Sequence, residues 1–272
     1  MGKQKLTHLS LFSGIGGLDI AAEWAGFETA GQCEWADYPT RVLEKHWPDV
    51  PRWRDVRNVT GASFRDRTGC KDLTILSGGF PCQPHSLAGK RLASGDERDL
   101  WGEFARCVRE IEPGWVLGEN VPGLLSSEAG RFFGRILRDL AEMGYHAGWC
   151  CFPAHAVGSD FWGERVFLVA ASDRVRRNGL AENLKIDLQA FHLEMLEKEE
   201  AGPAYLPFHV AWPVAEPGGR FIRNDDGLSD GLDRLTCIGN AVVPAQAYPI
   251  FKAIAEIEGK NNEQSDPLEK EL

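Results

Sequence analysis

The stretch LFSGIGGLD, Leu11–Asp19, is the first part of this sequence with a recognisable structural pattern. The apolar residues up to Phe12 read as a short buried strand, the glycines Gly14, Gly16 and Gly17 follow, and a helical pattern then begins. A strand, a glycine turn and a helix in this order make room for a nucleotide-like ligand beside free backbone N–H groups. The spacing is F-x-G-x-G-G rather than the dinucleotide spacing G-x-G-x-x-G, so the turn alone is equally compatible with a purely steric role.

Strand-like and helix-like segments alternate through the first part of the chain. Further strand-like segments occur at Phe27–Trp35, Asp72–Gly79, Trp115–Val121, His146–Ala154 and Glu164–Ser172. Segments with a helical pattern lie among them, at Leu18–Gly26, Tyr38–Pro48, Arg98–Pro113 and Glu128–Tyr145. This alternation predicts an α/β fold with a mostly parallel sheet and helices on both faces. Ligands of such sheets bind beyond the carboxyl ends of the strands.

The overall composition indicates a protein with one full core and no membrane span. The chain has 272 residues, of which 43% are hydrophobic and 26% are charged. That is enough for one core and a small second region. No apolar run is long enough to cross a bilayer, and the first residues lack a signal-peptide pattern, so a cytoplasmic location is expected. The formal net charge of −10 argues mildly against a nucleic-acid partner, although a local basic face is compatible with it.

The seven cysteines indicate a reducing compartment rather than a metal site. Their number is odd and no C-x-x-C pair occurs, so zinc is not expected. A chain of this size does not need disulfides for its stability.

One of these cysteines, Cys82, lies in the stretch GGFPCQP, Gly78–Pro84, directly after a strand-like segment. Pro81 and Pro84 stiffen the loop on both sides of the thiol. A thiol at the mouth of a strand-to-helix loop, near backbone N–H groups, can act as a nucleophile. The alternative is an inert cysteine that packs as a small apolar residue. The polar segment His85–Arg98 that follows is expected to form a mobile lid.

Acidic residues lie where such a sheet would place its ligand. Glu34 ends the second strand, and a carboxylate there can accept hydrogen bonds from a ribose diol. Asp55 could contact an adenine amino group. Glu119 ends a later strand, on the rim expected for Cys82, and could supply a proton to the group that the thiol attacks. The structural alternatives are exposed surface acids for the first two residues and a helix-capping turn for Glu119.

Together these features resemble the DNA (cytosine-5)-methyltransferase family. The motifs follow the family's order: the glycine turn, a strand-end Glu, G-G-F-P-C-Q-P, E-N-V at Glu119–Val121, R-V-F at Arg165–Phe167 and G-N-A-V-V-P at Gly239–Pro244. The resemblance covers roughly Leu9–Ala171 and Asp233–Ile257. Its most specific part is the combination of G-G-F-P-C-Q-P with E-N-V.

The resemblance implies a class I S-adenosylmethionine-dependent methyltransferase sheet, Rossmann-like, with a small and reduced target recognition region. We expect a catalytic domain at 1–173, the reduced region at 174–232, a segment at 233–258 that returns to the catalytic domain, and a disordered tail at 259–272. The implied cofactor is S-adenosylmethionine, with S-adenosylhomocysteine as product. The implied partner is double-stranded DNA whose target cytosine is flipped out of the helix. No metal and no membrane are expected, and a partner subunit or an oligomer is compatible with the sequence.

The resemblance also implies a role for each motif residue. Cofactor contacts are implied for Phe12, Gly14, Ile15, Gly16, Gly17, Leu18, Glu34, Asp55, Pro81, Leu100, Asn240 and Val242. Cys82 would attack cytosine C6, Glu119 would be the acid at N3, and Arg165 would contact O2. Contacts to the DNA backbone are implied for Ser86, Lys90 and Arg98.

Two features depart from the family pattern. The family usually carries Q-x-R-x-R before V-F, whereas this chain has Phe161 and Gly163 at the first two positions and keeps Arg165. The interval before G-N-A-V-V-P is short, which predicts the reduced recognition region. The alternatives that stay open are a tRNA cytosine-5 methyltransferase of the same family, a weakened relative that binds DNA, and a thiol hydrolase with His85 as its base. A restriction companion, an orphan methylase and a prophage enzyme all fit the sequence.

Overall fold

A seven-stranded sheet forms the centre of the molecule. The computed structural model describes residues 5–81, 100–159, 163–175 and 241–264, so the predicted recognition region lies almost entirely outside the described residues. The strands are β1 Thr7–Leu11, β2 Glu28–Cys33, β3 Arg52–Trp53, β4 Ile75–Gly78, β5 Trp115–Asn120, β6 Tyr145–Phe152 and β7 Arg165–Ser172. Their order across the sheet is β3-β2-β1-β4-β5-β7-β6.

The first five strands are parallel, whereas β7 runs antiparallel to both β5 and β6. The mostly parallel sheet predicted from the sequence is therefore confirmed, with β7 reversed. The cause is the short connection after β6, in which the described residues form only the single 3₁₀ turn Ala154–Val157. Parallel neighbours need a long crossover, whereas antiparallel neighbours can be joined by a short loop.

Helices connect the strands and cover both faces of the sheet. They are α1 Gly17–Trp24, α2 Asp37–His46, α3 Gly61–Thr68, α4 Trp101–Ile111, α5 Gly123–Ser126, α6 Arg131–Glu142, α7 Asp173–Val175 and α8 Pro244–Gln264. None of the helices in the described ranges is long and apolar enough to cross a membrane.

The last helix, α8, crosses the boundary that the sequence predicts at residue 258 between the returning segment and the tail. It continues to Gln264. The Trp115 indole N–H donates to the Glu258 carboxylate at 2.8 Å, which ties this part of α8 to β5. Residues 259–264 belong to this helix as well.

The apolar side chains form two clusters, one on each face of the sheet. Because successive strand residues point to opposite faces, Leu76 belongs to the cluster under α3, α4 and α6, and Ile75 to the cluster under α1 and α8. Phe104 is fully buried in the first cluster and Phe251 in the second. Strands covered on both faces read as nearly continuous apolar runs, which is why the sequence predicts them well.

Candidate active site

The glycine turn after β1 is built by backbone conformations that favour glycine. Gly14 and Gly16 have φ values of 55° and 91°. Gly17 begins α1, and a Cβ atom at this position would lie 2.4 Å from the Val242 carbonyl oxygen. The turn therefore brings two distant parts of the chain into contact, because the segment before α8 packs directly against the start of α1.

Glu34 joins the end of β2 to this turn. One carboxylate oxygen accepts the Gly14 N–H at 2.8 Å, and the other accepts the Ala36 N–H at 2.8 Å. Each oxygen of an ionised carboxylate has a second lone pair, so both can accept a further hydrogen bond. The structure thus brings Glu34 and the glycine turn together, as the motif order suggests.

Trp35 is a residue of this rim that the sequence reasoning missed. Its side chain is 70% exposed, which is unusual for the largest apolar side chain. A shallow depression beside it is lined by Trp35, Ala36, Asp37 and Arg54. The signal in the sequence is an aromatic residue directly after the strand-end acid.

Asp55 lies next along the rim, after the short strand β3. Its carboxylate accepts the Arg57 N–H at 2.9 Å and so caps the 3₁₀ turn Val56–Asn58. The Arg57 guanidinium is 3.5 Å from the other oxygen. Asp55 therefore has a structural role in the turn and keeps acceptor capacity for a ligand.

The end of β4 leads towards the predicted nucleophile. Gly79 passes so close to Glu119 that a Cβ atom would lie 2.7 Å from a carboxylate oxygen. The Asn120 side chain donates to the Phe80 carbonyl at 2.9 Å and so fixes the peptide just before Pro81. The sequence reasoning assigned no role to Asn120, because a contact between the ends of β4 and β5 is visible only in three dimensions.

Glu119 and Arg165 form a buried ion pair at the ends of β5 and β7. The Arg165 Nε atom lies 2.9 Å from Glu119 Oε1. Only 12% of the Arg165 side chain and 8% of the Glu119 side chain are exposed. Burial raises the pKa of Glu119 to about 7, although the charge and hydrogen bond of Arg165 act in the opposite direction. A carboxyl group with such a pKa can hold or release a proton near neutral pH, which is what general acid catalysis requires.

The backbone before Arg165 shows how the chain accommodates Gly163. Gly163 has a φ value of 39°, in the left-handed region that favours glycine. Its carbonyl accepts a hydrogen bond from the Gln246 side chain on α8 at 3.1 Å. The Arg165 Nη1 group also donates to the Glu164 carbonyl at 3.1 Å. The sequence reasoning missed Gln246, since it lies far along the chain from Gly163.

The other residues with predicted cofactor, catalytic or DNA contacts lie partly inside and partly outside the described ranges. Pro81 is exposed, whereas Phe12, Ile15, Leu100 and Val242 are partly buried and Leu18 is buried. Leu100 is the residue directly before α4. Residues with predicted roles outside the described ranges are Cys82, Ser86, Lys90, Arg98, Phe161 and Asn240.

The chain is similar in sequence to a known protein family and to several individual proteins. A family model described as C-5 cytosine-specific DNA methylase matches residues 6–203. M.Eco47II, a Type II methyltransferase of Escherichia coli, is 32% identical over 205 residues, covering 72% of this chain and 45% of that protein. M.AquIA, a Type II methyltransferase of Picosynechococcus sp., is 34% identical over 173 residues, covering 59% of this chain and 70% of that protein.

Solved structures similar to this one support the predicted fold. A prophage-encoded protein of E. coli superposes with a TM-score of 0.56 at 23% identity, over 63% of this chain and 48% of that chain. The predicted class I methyltransferase fold is thereby confirmed. The chain spans about half the length of most of the curated relatives that it matches. The family model covers well over half of the chain, and the chain therefore belongs to the C-5 cytosine-specific DNA methylase family.

Proposed function

We propose that this protein is a DNA (cytosine-5)-methyltransferase that acts on double-stranded DNA, in the manner of the methylases of restriction-modification systems. The observation that carries the proposal is the buried pair of Glu119 and Arg165 at the strand ends, 2.9 Å apart. Gly79, at the start of the loop that leads to Cys82, passes against the same carboxylate. The family membership and the Type II methyltransferases among the relatives support it.

The residues around the glycine turn fit S-adenosylmethionine as the cofactor. Both oxygens of Glu34 can accept further hydrogen bonds, which suits a ribose diol, and the exposed ring of Trp35 offers an apolar surface for a purine. Asp55 would accept from the adenine amino group. The turn from Phe12 to Leu18 would complete this end of the site, with contributions from Pro81, Leu100, Asn240 and Val242. When bound, S-adenosylmethionine supplies a methyl group on a positively charged sulfur.

The reaction makes cytosine C5 nucleophilic. In our proposal the Cys82 thiolate forms a bond to C6 while Glu119 gives its proton to N3, so that the ring becomes an enamine. C5 is then the atom that would take the methyl group. Loss of the C5 proton to a base expels the Cys82 thiolate, and N3 returns its proton to Glu119, so that the aromatic ring of the base is restored. Arg165 would hold the cytosine at O2 and also keep the Glu119 carboxyl in place.

The target base must leave the double helix for these contacts to form. Flipping a nucleotide requires a few kcal/mol of unstacking and unpairing, which contacts in the site must offset. In our proposal Ser86, Lys90 and Arg98 bind the DNA backbone on either side of the flipped nucleotide. The Glu119 and Arg165 side chains are already paired with each other, so they are preorganised before the base arrives.

The decisive experiment offers the protein S-adenosylmethionine with a labelled methyl group and either double-stranded DNA or tRNA. We expect label in DNA as 5-methylcytosine, and loss of transfer in the Cys82→Ser variant. DNA that contains 5-fluorocytosine should trap the wild-type protein covalently, because the fluorine cannot leave as a proton does.

Other outcomes would contradict the proposal in distinguishable ways. Label in tRNA alone would identify the protein as a tRNA methyltransferase. Binding of DNA without transfer would identify it as a weakened relative. Transfer that persists in Cys82→Ser would exclude the covalent mechanism while leaving the substrate assignment intact.

A further inference from the structure

Arg106 is a side chain of α4 to which the proposed reaction assigns no role, although it makes hydrogen bonds to several elements at once. Two of its hydrogen bonds go to carboxylates of its own helix: Nε donates to Glu103 at 2.8 Å, and Nη1 donates to Glu110 at 2.9 Å. Burial lowers the pKa of Arg106, but these two carboxylates outweigh it and raise the pKa above its usual value. The guanidinium is therefore permanently charged and held in one orientation.

Two further hydrogen bonds leave the helix and reach the turn that Asp55 caps. Nη2 donates to the Val56 carbonyl at 2.9 Å, and Nη1 donates to the Val59 carbonyl at 3.0 Å. Val56 and Val59 are themselves buried. The guanidinium thus binds the Val56–Asn58 turn at its first residue and just after its last.

The Glu110 side chain extends this connection to the next element. Its second oxygen accepts the Gly61 N–H at 3.0 Å, at the start of α3. Glu110 and Arg106 together therefore connect α4 to the segment between Asp55 and α3. Hydrogen bonds between charged and neutral groups are about twice as strong as neutral ones, and the planar fork of arginine can satisfy two carbonyls that lysine cannot.

The same contacts connect two segments that both contribute to the proposed cofactor site. Asp55 precedes the bound turn, and its direction depends on that turn, because its carboxylate is bonded to the Arg57 N–H. Leu100 precedes α4, the helix that carries Arg106. A shift of α4 relative to the turn would change the separation of these two residues.

We propose that Arg106 is a positioning residue for adenine recognition: it fixes the Asp55 turn against α4, so that the Asp55 carboxylate is held where it accepts the adenine amino group. This inference rests on the proposed function, since it requires an adenosine-containing cofactor. Arg106 itself touches no ligand in this account and acts only through Asp55.

The test compares two product analogues by calorimetric titration. S-adenosylhomocysteine carries the adenine amino group, whereas S-inosylhomocysteine has a carbonyl oxygen in its place, which presents an acceptor rather than a donor to the Asp55 carboxylate at that position. We expect the wild type to prefer the adenosyl compound. In Arg106→Met we expect the adenosyl compound to bind about tenfold more weakly, as for loss of a hydrogen bond to a charged group, with little change for the inosyl compound.

Further variants separate positioning from general support of the fold. Arg106→Lys keeps the charge but not the fork, so its preference for the adenosyl compound should be intermediate, and this variant serves if Arg106→Met does not fold. In the Asp55→Asn background, Arg106→Met should cause no additional loss of preference. Arg109→Met alters an exposed arginine of the same helix and should leave both affinities unchanged.

Several results would overturn the inference. Equal weakening of both compounds, with the preference retained, would make Arg106 a structural support of the whole pocket. An unchanged preference in both Arg106 variants would exclude any role in recognition. If the wild type binds neither compound, the proposed function fails together with the inference, whereas a wild type that prefers the adenosyl compound retains the proposed function whatever the variants do.

Discussion

Glu119 is the residue whose environment most directly predicts a pH dependence. Burial raises its pKa to about 7 against the opposing influence of Arg165. In the proposed reaction Glu119 must carry a proton when the thiolate attacks. The rate should therefore fall as the pH rises above about 7, while formation of the Cys82 thiolate favours higher pH, and the two effects together give a bell-shaped profile.

The matching prediction concerns Glu119→Gln. We expect methyl transfer to slow by about 10² to 10⁴, the usual contribution of a positioned acid. The ratio of wild-type to variant kcat/KM should be constant below about pH 7 and should fall about tenfold per pH unit above it, because only the wild type loses a proton there. Rates measured from about pH 5.5 to about pH 9 would check this. A ratio that does not change with pH would mean that Glu119 acts without donating a proton.

Asp19 is a second buried acid, and it bears on stability rather than on the reaction. It is fully buried and accepts hydrogen bonds from Ser10 at 3.0 Å and from the Gln32 amide at 3.0 Å. Burial raises its pKa to about 6 in spite of these bonds. The folded protein therefore binds the proton more tightly than the unfolded chain, so ionisation of Asp19 lowers the stability of the fold as the pH rises from about 4 to above 6.

We predict that Asp19→Asn is more stable than the wild type at about pH 8, by about 1–3 kcal/mol, since a shift of one unit corresponds to about 1.4 kcal/mol. The amide oxygen can still accept from Gln32. The difference should shrink as the pH falls through about 6 and should vanish near pH 4. Urea unfolding at both ends of this range measures it, with the exposed acid Asp66→Asn as a control that should change little. Lower stability of Asp19→Asn at the alkaline end would mean that the charge itself stabilises the fold.

The start of α1 depends on a close approach that only glycine allows. A Cβ atom on Gly17 would lie 2.4 Å from the Val242 carbonyl oxygen, which is backbone and cannot rotate away. Gly17→Ala should therefore separate α1 from the segment before α8. We expect a loss of about 1–3 kcal/mol in the free energy of unfolding, together with weaker cofactor binding.

Gly102→Ala is the matched control for this prediction. Gly102 lies in α4 and is exposed, and beyond the neighbouring residues and backbone of its own helix no atom lies within 4 Å of the position that its Cβ atom would take. Alanine should stabilise this helix by about 0.5–1 kcal/mol. Chemical unfolding of both variants, with titration of S-adenosylhomocysteine, separates the two effects. Equal behaviour of the two variants would show that the approach of Val242 to α1 is not tight in solution.

The elements that sequence patterns predict well are those with long apolar runs. Two strands, around Ile75 and Leu117, are predictable because both of their faces are buried, so that nearly every residue is apolar. The helix around Phe104 is predictable because its apolar residues recur at helical spacing. The two-residue strand β3 is not, because it is too short to carry a pattern. Helix α3 is not either, since only Gly61 and Phe64 are buried in it and its amphipathic pattern is correspondingly weak.

The contacts of the candidate site are likewise only partly predictable from the sequence. The order of motifs suggests that Glu34 faces the glycine turn and that Glu119 and Arg165 belong together. The pairing of Glu119 with Arg165 depends on β7 lying antiparallel beside β5, which no local pattern shows. The contact from Gln246 to Gly163 depends on the return of α8 from far along the chain. Such contacts arise from tertiary packing, so a single sequence does not reveal them.

Helix α8 completes the apolar cluster on one face of the sheet. Phe251 is fully buried, and its ring lies edge-on to His8 of β1 and Phe27 before β2, with ring centroids 5.3 and 5.5 Å apart. The helix therefore packs against strands and helices from the first part of the chain. Because α8 buries apolar side chains such as Phe251 against the sheet, it should unfold together with the sheet rather than on its own.

Phe251→Ala tests that cooperativity. Removing a fully buried aromatic side chain leaves a cavity, and we expect a loss of about 3–5 kcal/mol in the free energy of unfolding. Circular dichroism and tryptophan fluorescence should report one shared transition at lower denaturant, because Trp115 of β5 is hydrogen-bonded to Glu258 of the same helix. Lys252→Ala, at the exposed neighbouring position, should change stability by less than about 0.5 kcal/mol. A small loss for Phe251→Ala, or an early transition seen by circular dichroism alone, would mean that α8 detaches before the sheet unfolds.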